Sequence, residues 1–177
     1  MFPKAHATAY VISAIRLGWF KIYYPLEFYA AFFTVRGEDF DAESAIKGKE
    51  YVKMKMNSIS AKGNAQTKKE EDQFQTLQIV YEMLARGYEF LPVDLYKSEA
   101  LKYTIEDGKI RLPFNSLKGL GEAAAKSLRE ASFEGEYLSV DDVNQRAGVS
   151  KSVIETLREA GALAGLSESS QLSLFNF

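Results

Sequence analysis

Apolar residues recur at three- and four-residue spacing from Val11 through Ile12, Ile15 and Trp19 to Ile22 before Pro25 interrupts the series, which predicts a mostly buried helix from Ala5 to Tyr23. A second helix, Leu26 to Val35, carries Phe28, Tyr29, Phe32 and Phe33 and is apolar on nearly every side, so it calls for packing against more than one neighbour. Two such helices in so short a chain imply a domain whose other part lies outside it. A third helix, Asp41 to Ile59, is expected to expose a lysine-rich side. In a fourth, Thr67 to Arg86, the residues Phe74, Leu77, Val80, Tyr81 and Leu84 form the buried stripe, and Gly87 ends it.

The pattern then changes. Phe90 to Leu95 reads as extended, and Tyr103-Thr104-Ile105 and Lys109-Ile110-Arg111 flank Glu106-Asp107-Gly108, a turn signal that predicts a small hairpin. Three short helices follow, near Gly121 to Ala131, Ser139 to Gln145 and Ser150 to Glu159, separated by Gly135 and Gly148 and closed by Gly161 and Gly165. The fold class is mainly α.

Composition narrows the chemistry. The 177 residues are 46% hydrophobic and 26% charged, an ordinary globular balance. No cysteine is present, which excludes disulfides, thiolate metal sites and a cysteine nucleophile, and the single histidine, His6, excludes a multi-histidine metal site within the chain. No apolar run has membrane-spanning length and no signal peptide opens the sequence, so a soluble, cytoplasmic protein is expected. The net charge of −2 gives no global attraction to nucleic acid, and DNA binding would have to come from local geometry or a local patch. Seven lysines against one acid, Glu50, lie between Lys47 and Lys69. They suit either a solvated helix face or a contact to a DNA backbone.

The segment Leu112-Pro113-Phe114-Asn115-Ser116-Leu117-Lys118-Gly119-Leu120-Gly121, followed by an alanine-rich helix, resembles a helix-hairpin-helix element. Glycine permits torsion angles closed to other residues and lets backbone approach a ligand. The helix that follows opens with free N–H groups and the positive end of its dipole, an arrangement that accepts a phosphate oxygen whatever the base. Leu120 would anchor the turn; Ala124, Ala125 and Leu128 would pack the helices; Lys118 and Lys126 would add charge beside Gly119 and Gly121. The same glycines would also serve a plain tight turn between helices. A second copy, with Val149 in the place of Leu120 and Ser150 in that of Gly121, occupies Ala147-Gly148-Val149-Ser150-Lys151. Paired elements of this kind can grip both strands of a duplex through phosphates. Having lost a glycine, the second copy should bind less strongly than the first.

The terminal Gln171-Leu172-Ser173-Leu174-Phe175 follows a polar stretch, Gly165 to Ser170, that composition marks as flexible. It resembles the bacterial clamp-binding pentapeptide, in which the glutamine amide fixes register while Leu172, Leu174 and Phe175 fill apolar pockets. Folding back onto the chain's own core is the competing use of those apolar residues. At the other end, Phe2-Pro3-Lys4-Ala5-His6-Ala7-Thr8-Ala9-Tyr10 and Tyr24-Pro25-Leu26-Glu27-Phe28-Tyr29-Ala30-Ala31 look like the fingers segment of bacterial replicative polymerases. With Leu91-Pro92-Val93-Asp94-Leu95, the glycine hairpin and the closing clamp motif in the same order, nearly the whole chain resembles the carboxy-terminal part of the PolC-type polymerase family.

The resemblance implies a fingers remnant over 1–90, a small hairpin and tandem helix-hairpin-helix domain over 91–165 that binds duplex DNA, and a flexible clamp-binding tail over 166–177. Lys4, His6 and Tyr10 would border the site of the incoming nucleotide, Lys4 facing a phosphate. Gly148, Ser150 and Lys151 would join Lys118, Gly119, Leu120, Gly121 and Lys126 on the primer-template duplex. The sliding clamp and the upstream palm and fingers would be the partners. The magnesium ions expected for the intact polymerase would sit on palm acids upstream of Met1. Asp39 and Asp41 are the nearest acidic pair in the chain, and Asp41 is placed to cap a helix. No catalytic or metal-binding residue is expected here, so the isolated chain should be inactive. A stand-alone repair or recombination accessory protein is the alternative.

Overall fold

The computed structural model of the chain describes residues 3–37 and 40–169. Helix α1, Lys4–Tyr23, runs into α2, Pro25–Arg36. Pro25 stands at the first position of α2, where a missing N–H costs nothing and a fixed φ suits the helix. Tyr29 and Phe33 of α2 are fully buried. The expected burial of α1 does not occur: none of its residues is buried, and Ile15 and Ile22 are 66% and 68% exposed. The reason is contact, since α1 packs on α2 and otherwise touches the body through its carboxy-terminal turn. There Lys21 bridges Glu82 at 2.5 Å and accepts two hydrogen bonds on its carbonyl from the Arg86 guanidinium. Its apolar face has no covering element among the described residues.

The helix expected over 41–59 is two helices, α3 (Ala42–Lys47) and α4 (Lys49–Ser60). Gly48 divides them at φ 92° and ψ −178°, a backbone state in which a side chain would be strained. Asp41 caps α3, its carboxylate accepting from the Ser44 amide at 3.0 Å and the Ser44 hydroxyl at 2.7 Å. Helix α5, Lys68–Ala85, opens on a capping box in which Thr67 and Glu70 each accept from the other's backbone N–H. Lys62 and the Thr67 amide hold the Glu70 carboxyl down at about 2. The stripe Leu77, Val80 and Met83 is buried; Phe74, Tyr81 and Leu84 lie at its edges.

Beyond Gly87 come β1 (Phe90–Leu91), β2 (Thr104–Glu106) and β3 (Lys109–Arg111), ordered β1-β3-β2 with β1 parallel and β2 antiparallel to β3. Asp107 and Gly108 close the β2–β3 hairpin with φ of 50° and 76°, the two-residue turn whose twist matches paired strands. Phe33, Phe40, Phe90 and Tyr103 meet with ring centroids 5.2 to 5.7 Å apart, so α2 and the sheet share one aromatic core. Arg111 is a buried cation, bound by the Glu106 carboxylate at 2.7 and 2.9 Å and by the Pro92 carbonyl at 2.8 Å.

Helices α6 (Glu122–Ser132), α7 (Val140–Ala147) and α8 (Lys151–Glu159) complete the fold. Ser167 and Glu168, at the head of the segment expected to be a flexible tail, dock on the start of α7, where their carbonyls accept from the Val140 and Asp141 amides at 2.9 and 3.1 Å. Glu168 also bridges Arg158. No helix among the described residues is long and apolar enough to cross a membrane.

Candidate nucleic-acid interface

The approach to the first hairpin is fastened from beneath. Ser98, fully buried, accepts from the Asp94 amide at 3.0 Å and donates its hydroxyl to the Leu112 carbonyl at 2.7 Å. The Phe114 and Asn115 amides donate to the Glu99 and Ala100 carbonyls at 3.0 and 3.1 Å. The apolar segment before the hairpin forms a single 3-10 turn, Phe114–Ser116, closed by the Ser116 hydroxyl on the Pro113 carbonyl at 2.7 Å. Leu112 and Phe114 sink into the core.

The Leu120 amide then donates to the Leu117 carbonyl at 3.1 Å, closing a four-residue turn with Gly119 at φ 87°. That is the turn position at which a left-handed residue, usually glycine, is required. Leu120 is buried as expected. Gly121 differs from Gly119: its φ of −73° and ψ of 166° suit any residue, and a Cβ there would meet nothing within 4 Å. What its missing side chain does is leave the start of α6 open, since no side chain caps that helix. The first amides of α6 point outward with the positive end of the helix dipole.

The second hairpin repeats two of these backbone states. Gly148 is left-handed at φ 59°, and Ser150, at φ −75° and ψ 160°, repeats the Gly121 conformation. Its cap is filled: the Ser150 hydroxyl accepts from the Val153 amide at 3.4 Å. Val149 is half-buried where Leu120 is buried, and the Asn144 amide donates to its carbonyl at 2.7 Å.

Charge is distributed differently at the two turns. Lys118 and Lys151 are exposed and carry no ion pair among the described residues, whereas Lys126 is held by Glu122, one turn back, at 2.5 Å. Lys126 therefore spends its charge on a neighbour in the first turn of its own helix.

A scaffold of arginines and serines fixes the hairpins to each other. The Ser127 hydroxyl donates to the Ala147 carbonyl at 2.6 Å, joining α6 to the end of α7. Arg146 donates to the Ala131, Gly135 and Glu136 carbonyls at 2.6, 3.0 and 3.1 Å and stacks over the Tyr137 ring at 4.3 Å. Arg129 bridges Glu99 at 2.8 Å and donates to the Tyr96 carbonyl at 2.9 Å, tying α6 to the loop before the sheet. Sequence reasoning missed these residues. Their partners are mostly carbonyls far along the chain, which leave no local signature.

At the amino terminus, His6 and Tyr10 lie one turn apart on α1 with rings edge-to-face at 4.6 Å. Lys4 is two residues from His6 and so faces another side of the helix. All three are exposed. Among the described residues no group of His, Cys, Asp or Glu could hold a metal ion. The clamp-like residues Gln171, Leu172, Ser173, Leu174 and Phe175, like Asp39, lie outside the described residues.

Residues 87–172 match the model of the helix-hairpin-helix motif, a span that contains both turns and their scaffold. The chain carries that motif. It is 51% identical over 175 residues to the DNA polymerase III PolC-type of Clostridium perfringens, 99% of this chain and 12% of that protein. Against the proteins of the same name from Listeria welshimeri and Thermotoga petrophila the identities are 47% and 43%, again over 99% of the chain. Its homologues are DNA polymerase III PolC-type proteins. The chain spans 12% to 13% of their length.

Proposed function

We propose that this chain is the duplex-holding, clamp-docking carboxy-terminal region of a PolC-type replicative DNA polymerase. The observation that carries the proposal is the repeated turn: Gly119 and Gly148 are both left-handed, and Gly121 and Ser150, two residues on, share one extended conformation that opens a helix. Two such helix starts, locked together through Ser127 and Arg146, present donors to two stretches of phosphate and read no base. Lys118 and Lys151 add charge at the same turns. This arrangement lets an acidic chain hold DNA.

In the intact enzyme the region would follow the duplex emerging from the polymerase site, and nucleotide transfer would use magnesium on residues other than the described ones. The exposed face of α1 would pack against the remainder of the polymerase, with Lys4, His6 and Tyr10 at the edge of the nucleotide site. Gln171 to Phe175 would dock on the sliding clamp, adding processivity to grip.

Fluorescence anisotropy with two duplexes of unrelated sequence tests the first part. Both should bind within about twofold of each other, with log affinity falling linearly against log salt. Absence of binding to either duplex at low salt sinks the duplex assignment. For the tail, Phe175→Ala should weaken clamp affinity at least about tenfold, the loss of a buried aromatic anchor; unchanged affinity removes the clamp assignment.

A further inference from the structure

Helix α4 carries a second feature suited to phosphate. Between Glu50 and Glu70 there is no acidic residue, while Lys53, Lys55, Lys62, Lys68 and Lys69 fall in that interval and Lys49 stands just before it. The helix buries Val52 and Ile59. Away from that stripe, Lys49, Lys53, Asn57 and Ser60 follow one another at four-, four- and three-residue steps, and all are exposed. Such steps stack side chains on one side of a helix.

This row consists of hydrogen-bond donors: two ammonium groups, an amide and a hydroxyl. Among the described residues none of the four makes a side-chain hydrogen bond or ion pair. The lysines on either side of the row are paired with acids, Lys47 with Glu43 and Lys62 with Glu70. The row spans about 16 Å, over which one strand of a duplex presents several phosphates.

We infer that the Lys49–Lys53–Asn57–Ser60 face of α4 is a second duplex-backbone contact, separate from the hairpins and independent of base sequence. The inference rests on the reading that the hairpins hold duplex DNA. Together the two contacts would lengthen the grip along the duplex, with the hairpins contributing backbone amides and α4 contributing mobile cations. A lysine row contacts phosphates by charge, so its signature is the salt dependence of binding.

The test is anisotropy titration of a duplex by the full chain from low to moderate salt. Lys49→Gln with Lys53→Gln should make the slope of log affinity against log salt shallower by roughly 1 to 2. Both positions are exposed, so the helix should stay folded, which circular dichroism checks. The same pair introduced into Gly121→Asp should produce a similar further reduction, because the two contacts are separate. An unchanged slope in the double variant overturns the α4 contact while leaving the hairpin reading intact. A reduced slope there, with no effect of Gly121→Asp, overturns the hairpin reading instead. If poly-glutamate competes as well as duplex and loses affinity in the same variant, the face belongs to an acidic protein partner and the inference falls.

Discussion

The two hairpins repeat a left-handed glycine and a helix-opening residue, and differ in what surrounds them. Gly119 and Gly148 both take the left-handed state, and Gly121 and Ser150 have nearly the same torsions, yet the start of α6 has no side-chain cap while Ser150 covers an amide of α8. Charge is arranged in the opposite sense: α6 has Glu122 in its first turn, and α8 has no acid there but an exposed Lys151. If the turns bind phosphate as proposed, two separable sources would contribute. The first is the open backbone, available at the start of α6; the second is the side-chain cation, Lys118 at one turn and Lys151 at the other.

Gly121→Asp should break the comparison most severely. The position has a cap conformation and open space, so aspartate would cap α6 and raise stability by a few tenths of a kcal/mol. The same carboxylate would occupy the amides and repel phosphate, lowering duplex affinity about tenfold, ~1.4 kcal/mol. A thermal melt and a binding titration on one sample should move in opposite directions. A loss of affinity accompanied by a loss of stability would mean the turn had simply been damaged.

A smaller effect should come from exchanging the caps. Gly121→Ser makes the first turn resemble the second and should reduce duplex affinity about threefold; Ser150→Gly should cost only a few tenths of a kcal/mol in stability and recover part of that loss. Titrating the two single variants and the double exchange gives the coupling directly. If Ser150→Gly weakens binding as much as Gly121→Ser does, the hydroxyl itself is a phosphate donor and the open backbone is not the first source.

The turns were legible in the sequence because their chemistry is local: a left-handed turn needs glycine, and the spacing to the next helix is short. The start of α5 at Thr67 and the stop at Gly87 were legible for the same reason. The Gly48 break was hidden because Ala45, Val52 and Ile59, all buried, keep a seven-residue spacing straight through it. The exposure of α1 was hidden because periodicity reports that a helix has an apolar face and not whether its partner lies in the same chain. Arg111, Arg129 and Arg146 gave no signal, since an arginine bound to a distant carbonyl looks in sequence like any surface cation.

The smallest expected effect concerns acid. Glu168 is ion-paired to Arg158 of α8, and that contact holds its carboxyl below the ordinary value of 4.5. A carboxyl lowered on folding contributes stability that is complete above its unfolded value and is lost as pH falls through its folded one. The clasp on α8 should therefore weaken as pH drops below about 4.5. Glu122, at the opposite hairpin, is ion-paired to Lys126 within the same helix and so joins no second element. Amide exchange followed from pH 5 downward should show α8 losing protection before α6. Glu168→Gln should bring the exchange of α8 at pH 5 to the level reached by the parent at lower pH, leaving α6 unchanged. Equal loss in both helices would place the acid sensitivity in their shared scaffold, and the two hairpins would then open as one unit.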